Sequence, residues 1–281
     1  MAIRFIAIIG TVLLLPGALQ PQGSRREYLL SNVAVSGVTA GIGALLNRGP
    51  HETAPSAFAK GLLKGGVGGV MIFAGKDLAR TMWSRDKLAY AWLARATNSV
   101  GVSIVESAAA GRGLFSQLHL NVAVTRVDVE PSSGRVMLRL LPAAAVGAIV
   151  DATKYRLDVD RSLKLGLFVF EAKNTFIGGA GATRVNSIAY TPKFNERHVS
   201  ETLAHELVHV LQYEDLAALT YYLQRPSQRW IESHTSRVAR WIYPDLEYGA
   251  LWIRYHWVES DDYCKNRLER EAMKLGGIPV C

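Results

Sequence analysis

The period of apolar and polar positions changes three times along the chain. Phe5 to Leu15 is an apolar run broken only by Gly10 and Thr11, and Pro16-Gly17-Ala18 ends it. The run is too short to cross a bilayer and, with Arg4 ahead of it, has the pattern of an export signal over residues 1–22. Residues 28–75 are apolar and rich in glycine. Gly37 and Gly41 are four apart, as are Gly61, Gly65 and Gly69. On a helix this spacing makes a flat stripe where two backbones pack closely. We expect two such helices joined by a polar turn over 47–55. A membrane-inserted hairpin is the alternative, and Lys60 and Lys64 interrupt the apolar run it would need.

Residues 86–110 repeat with a helical period: Leu88, Trp92, Arg95 and Ala96, continued by Val102, Val105 and Ala109, up to Gly111-Arg112-Gly113. From about 117 to 190 the period is two. The pattern predicts a strand over 118–130, a turn at 131–134 and a partner strand over 135–141. A second hairpin is expected from 155–159 and 163–171 across 160–162, then a short strand over 186–190. After Pro192 helices are expected over 199–213, 214–224, 227–242 and 262–275. The expected class is α+β: an N-terminal helical glycine-rich region, a central antiparallel β-sheet with one apolar face, and a C-terminal helical part. Three segments follow: 1–22, 23–113 and 114–281.

The chain has 281 residues, 49% of them hydrophobic, enough for a substantial core. Its formal net charge of +8 is spread from Arg4 to Lys274. A diffuse positive balance suits weak attraction to an anionic membrane surface. No basic helix or aromatic RNA-binding motif is present, so no nucleic-acid partner is expected. The two cysteines, Cys264 and Cys281, lie near the C-terminus. One bridge and two free thiols both remain open, and their spacing is not that of a metal knuckle.

The chemistry concentrates at His205-Glu206-Leu207-Val208-His209. On a helix, histidines four apart share one face. They supply two corners of a tetrahedral Zn²⁺ site, whose nitrogens lie ~2.0–2.1 Å from the metal. Glu206 follows the first histidine and is within reach of a water at that metal, as a general base must be. The chain holds 7 histidines, and at this composition the pattern arises by chance in roughly one sequence in a hundred.

Ala204-His-Glu-Leu-Val-His-Val-Leu-Gln212 resembles the catalytic helix of zincins. Its His-Val-x-Gln tail is similar to bacterial gluzincin-like domains, including those attached to contractile injection systems. The glycine-rich part and the sheet resemble uncharacterised bacterial exported proteins. In gluzincins the third ligand is a glutamate on a later helix, often within Glu-x-x-Ala-Asp. Leu268-Glu269-Arg270-Glu271-Ala272-Met273 is similar, so the resemblance implies Glu269 as the ligand, with Met273 where the family has aspartate. Glu232, 23 residues after His209, and Glu271 are the alternatives. Glu269 and Glu271 point about 160° apart on a helix, so only one reaches the metal. His234, Tyr243, Tyr248 and His256 are candidates to stabilise an oxyanion. Trp230, Trp241, Trp252 and Trp257 are expected in the core or at an interface.

The resemblance implies a zinc-dependent peptidase of the periplasm or cell envelope, acting on peptides or proteins, with Glu206 catalytic and His205, His209 and Glu269 on the metal. The alternative is a non-catalytic envelope or membrane-associated protein with a structural zinc site. A fourth protein ligand would favour the second reading, and an open fourth position the first.

Overall fold

The computed structural model describes residues 23–172, 180–222, 241–260 and 262–278. The segment expected to be an export signal (1–22), Trp230, Glu232, His234, Cys281 and nearly all of the helix expected over 227–242 lie outside them. The described residues form a mixed α+β structure.

Ser24 opens the first helix, its side chain accepting from Glu27 N–H; α1 runs Arg25–Leu46 and α2 runs Ala54–Leu78. They pack along their glycines as the spacing expects. A Cβ on Gly65 would stand 2.5 Å from Ser36 O, and one on Gly69 2.5 Å from Asn32 O. No side chain fits there, so glycine lets the two backbones touch. A second glycine face on α2 meets α4 (Tyr90–Ala109): a Cβ on Gly68 would lie 2.7 Å from Gly101 O. The short α3 spans Thr81–Ser84. Both α1 and α2 are long and apolar enough to cross a membrane, with 50% and 33% of the most apolar window buried inside the fold. α2 also carries a fully buried, ion-paired Lys76.

The first sheet is antiparallel in the order β1 (Leu118–Val122), β2 (Thr125–Glu130), β3 (Arg135–Leu140). The single strand expected over 118–130 is a hairpin, turning at Ala123-Val124 with Ala123 at φ +49. Neither turn residue is glycine or asparagine, so local sequence carries no turn signal. Tertiary bonds hold it instead: Ala123 N–H donates to Gly166 O at 3.1 Å, and the Asn186 amide donates to Ala123 O. Of its two faces, the sheet buries the polar one. His119, Asn121, Arg126 and Asp128 are its buried residues, whereas Val136, Leu138 and Leu140 are exposed.

Helix α5 (Pro142–Ala152) follows, then β4 (Arg156–Leu157), α6 (Val159–Leu165) and β5 (Phe168–Glu171). The hairpin expected here pairs antiparallel as anticipated, but its connection is a helix. Asp158 caps it by accepting from Arg161 N–H, and Gly166 ends it at φ +70. These two end signals outweigh the alternation of Leu163, Leu165 and Leu167. β6 (Gly181–Arg184) and β7 (Ser187–Tyr190) complete the second sheet, ordered β4-β5-β7-β6. β5 and β7 run parallel, so this sheet is mixed and the expectation of one antiparallel sheet is corrected to two sheets.

The long helix α7 (Glu196–Gln212) lies against the second sheet. Asn195 caps it, accepting from His198 N–H at 2.9 Å. Val199, Leu203, Leu207 and Val210 enter the main core with Val169, Ile188 and Leu275. That core also takes in Ala79, Met82, Ala91 and Ala94, so it crosses the boundary at 113/114. The remaining elements are α8 (Ala218–Tyr222), α9 (Leu246–Ile253), a π-helical turn (Arg254–Val258) and α10 (Arg267–Gly276). Asn266 caps α10, and Gly277 ends it at φ +85. Trp241 and Trp252 are more than half exposed and are not core residues. Cys264 is disulfide-bonded.

Candidate metal centre

α10 approaches α7 closely enough that a Cβ on Gly276 would lie 2.9 Å from His205 Cα. This approach sets Glu269 opposite the two histidines. His205 Nε2 and His209 Nε2 are 3.2 Å apart. Glu269 Oε2 is 3.1 Å from His209 Nε2 and 3.3 Å from His205 Nε2. The three atoms make a nearly equilateral triangle. Ligands ~2.0–2.1 Å from a tetrahedral ion stand about 3.3 Å from one another, so the triangle has the size of one face of such a site. Among the described residues, these three form the group of histidine, cysteine and carboxylate side chains close enough to share a metal ion.

Neighbours orient two of the three donors. His209 Nδ1 lies 2.8 Å from Gln212 Oε1, an acceptor, so Nδ1 carries the proton. Tyr255 OH donates to Glu269 Oε1 at 2.7 Å, leaving Oε2 to face the imidazoles. His205 Nδ1 is buried without a hydrogen-bond partner. No described residue therefore orients His205 as Gln212 orients His209.

Electrostatics follow the geometry. Burial disfavours charge on His209, but the Glu269 carboxylate outweighs it and the pKa is raised to about 9. Burial would raise the Glu269 carboxyl, yet hydrogen bonds with His205 and His209 hold it well below the usual carboxylate range.

Glu206 is buried and stands outside the triangle. Its carboxylate turns toward β6, where Thr183 Oγ lies 2.7 Å from Oε2. A Cβ on Gly181 would come within 2.9 Å of Glu206 Oε1, so β6 presses against it. Glu271 points away, to Asn32, Lys76 and Gln212. Tyr243 bonds Glu106 at 3.0 Å, Tyr248 stacks on Tyr213, and the exposed His256 packs on Trp252 and Tyr255. None of these three has a contact with the triangle. Sequence reasoning missed Thr183, Tyr255 and Tyr263. The Tyr263 hydroxyl lies 3.4 Å from His205 Nε2 on a side chain 48% exposed, which marks the solvent side of the site. Their only signal in the sequence is the placement of two tyrosines shortly before the Glu269 helix.

No family model, no curated protein and no solved structure matches this chain.

Proposed function

We propose that the chain is a zinc-dependent peptidase of the cell envelope, with His205, His209 and Glu269 as metal ligands and Glu206 as general base. The triangle of two imidazole nitrogens and one carboxylate oxygen, 3.1–3.3 Å on each side, carries this reading. The donor set fits zinc: two neutral imidazoles and one carboxylate are a ligand combination this ion takes in catalytic sites, with a fourth position left open. The contacts between Glu269 and the histidines fit as well, since a proton shared there occupies the place a cation would take and is displaced when one binds.

His205, His209 and Glu269 would hold the ion, which when bound would supply Lewis acidity toward a peptide carbonyl and toward water. Glu206 takes the proton from the attacking water and delivers it to the leaving amine. Thr183 Oγ, at Oε2, fixes the carboxylate against β6. Tyr263 OH stands on the open side, where a developing oxyanion would lie. β6 is the outer strand of its sheet among the described residues, and it lies beside Glu206. An extended peptide paired to that edge would pass the base with its backbone held by hydrogen bonds.

The structural-zinc alternative needs a fourth protein donor, and the cluster among the described residues has three. The test is digestion of a peptide library by wild type and Glu206→Gln at matched zinc content. Gln keeps the shape but cannot take a proton, so a loss of about 10²–10⁴-fold is expected. Equal cleavage by both proteins would refute the assignment of Glu206, and no cleavage by zinc-loaded wild type would favour the structural site.

A further inference from the structure

Lys76 belongs to the glycine-rich hairpin, far in sequence from the candidate metal centre, and is fully buried. Its ammonium has three protons and three partners: Asn32 Oδ1 at 3.0 Å, Asp215 Oδ2 at 2.6 Å and Glu271 Oε2 at 3.2 Å. Asn32, from α1, also donates to Glu271 Oε1 at 2.7 Å. The hairpin therefore holds both oxygens of one carboxylate on α10.

That carboxylate fixes the Gln212 side chain on α7. Gln212 Nε2 donates to Glu271 Oε2 at 2.8 Å and to Leu268 O at 2.9 Å. Both partners accept and cannot donate, so the amide has one orientation available. Its oxygen must then face His209 Nδ1, 2.8 Å away. With Nδ1 protonated, the lone pair of neutral His209 lies on Nε2, the atom in the triangle. A reversed amide would offer an N–H to Nδ1 and drive the imidazole proton onto Nε2, which blocks a metal.

We propose that Lys76 is a positioning residue for the candidate metal centre: through Glu271 and Gln212 it sets the rotamer of the Gln212 amide and hence the ring orientation and tautomer of His209. The inference rests on the metal reading for its consequence, though not for its geometry. It makes the hairpin a working part of the site. Partners of this kind around a ligating histidine typically change metal affinity 10–100-fold.

The test uses the full chain and two readouts. The first, taken without metal, is the downfield proton resonance of the buried His209 Nδ1–H bonded to Gln212. The second is zinc affinity by chelator competition. Gln212→Met removes the acceptor with no change of charge. Lys76→Met paired with Asp215→Asn removes the ammonium without leaving an extra buried carboxylate, so it guards against simple failure to fold.

Both variants are expected to lose or shift the resonance. Zinc affinity should fall about 10–100-fold in Gln212→Met and about 2–30-fold in the double variant, which acts through more contacts. A folded double variant with an unchanged resonance and unchanged affinity would overturn the proposal and leave Lys76 a structural ion pair. If the resonance behaves as expected but wild type binds no zinc, the positioning role stands and the metal reading falls.

Discussion

Two buried clusters among the described residues contain histidine and glutamate, and they are built on different principles. In the first, Arg126 spans Glu106 with two hydrogen bonds, 3.0 and 2.6 Å, and also reaches Asp128 at 2.9 Å. Arg139 meets the other Asp128 oxygen at 2.6 Å, and His119 stands 3.4 Å from Glu106. Two carboxylates face two guanidiniums, so the charges close on themselves. In the second, the triangle of His205, His209 and Glu269 turns two imidazole nitrogens and one carboxylate oxygen toward one point; among the described residues no lysine or arginine pairs with them, and in the metal-free protein the His209 proton faces Glu269. Lys76, the nearest buried ammonium described above, is committed to Asn32, Asp215 and Glu271. A buried cluster whose charges cancel internally holds the fold. One held by a displaceable histidine proton offers its donors to a cation, which is the difference the predictions below test.

The largest expected effect comes from opening the closed cluster. Arg126→Met leaves Glu106 and Asp128 buried without their main partner, which costs about 3–5 kcal/mol when one member of a buried pair is removed. Chemical denaturation should show this loss, with zinc stoichiometry unaltered in the protein that remains folded. A midpoint equal to wild type would mean the cluster is not architectural.

Next in size is the effect of filling the open cluster. Zinc at 100 times its dissociation constant should stabilise wild type by about 2.7 kcal/mol. His205→Ala and His209→Ala should show no such gain. Metal analysis should find near one zinc per wild-type chain and none in either variant. Equal thermal shifts in all three proteins would place the metal elsewhere.

Acid and base separate the clusters by sign. Burial opposes the charge on Glu106, but Arg126 and His119 hold its carboxyl far below its ordinary 4.5. Its contribution is complete above that value and fades as pH falls. His209 is shifted the other way, from 6.5 up to about 9: burial acts against the charge and Glu269 outweighs it. In the metal-free protein its contribution is complete below 6.5 and is lost as pH rises through 9. The stability difference between metal-free wild type and His209→Ala should therefore shrink toward alkaline pH, by about 3 kcal/mol. Zinc binding must displace that proton, so apparent affinity should fall about tenfold per pH unit between 8.5 and 6.5. A flat profile would mean that His209 is already neutral.

Much of the open cluster was legible in the sequence, and almost none of the closed one was. His205 and His209 announce themselves because a helix repeats and their spacing matches one turn. Glu269 followed from a resemblance alone; the Asn266 cap and Gly277 stop that bound its helix were not read from the sequence. The glycine stripe foretold the packing of α1 on α2 because only a missing side chain permits that distance. The β hairpin at Ala123 was hidden because distant groups, Gly166 and Asn186, hold its turn. The polar buried face of the first sheet was hidden for a related reason: alternation shows that two faces differ, not which one is buried. Arg126 and Asp128 can enter because they pair with each other and because Glu106, from another element, supplies a second carboxylate.

The smallest predicted effect uses one tyrosine from each cluster. Tyr243 OH donates to Glu106 Oε1 at 3.0 Å, and Tyr255 OH donates to Glu269 Oε1 at 2.7 Å. Each removes one lone pair of a buried glutamate from competition, so Phe at either position deletes one hydrogen bond and little volume. The consequences should diverge. Glu106 keeps both Arg126 bonds without Tyr243, and Tyr243→Phe should cost about 1 kcal/mol of stability with unchanged zinc affinity. Glu269 without Tyr255 can rotate Oε1 toward the histidines and lose the presentation of Oε2. Tyr255→Phe should therefore weaken zinc binding about tenfold, the lower end of the range for a partner of a metal ligand, while unfolding of the metal-free protein barely changes. Chelator competition and denaturation on the two variants side by side read both axes. Equal effects of both substitutions on zinc affinity would erase the distinction between a cluster that holds the fold and one that holds a ligand.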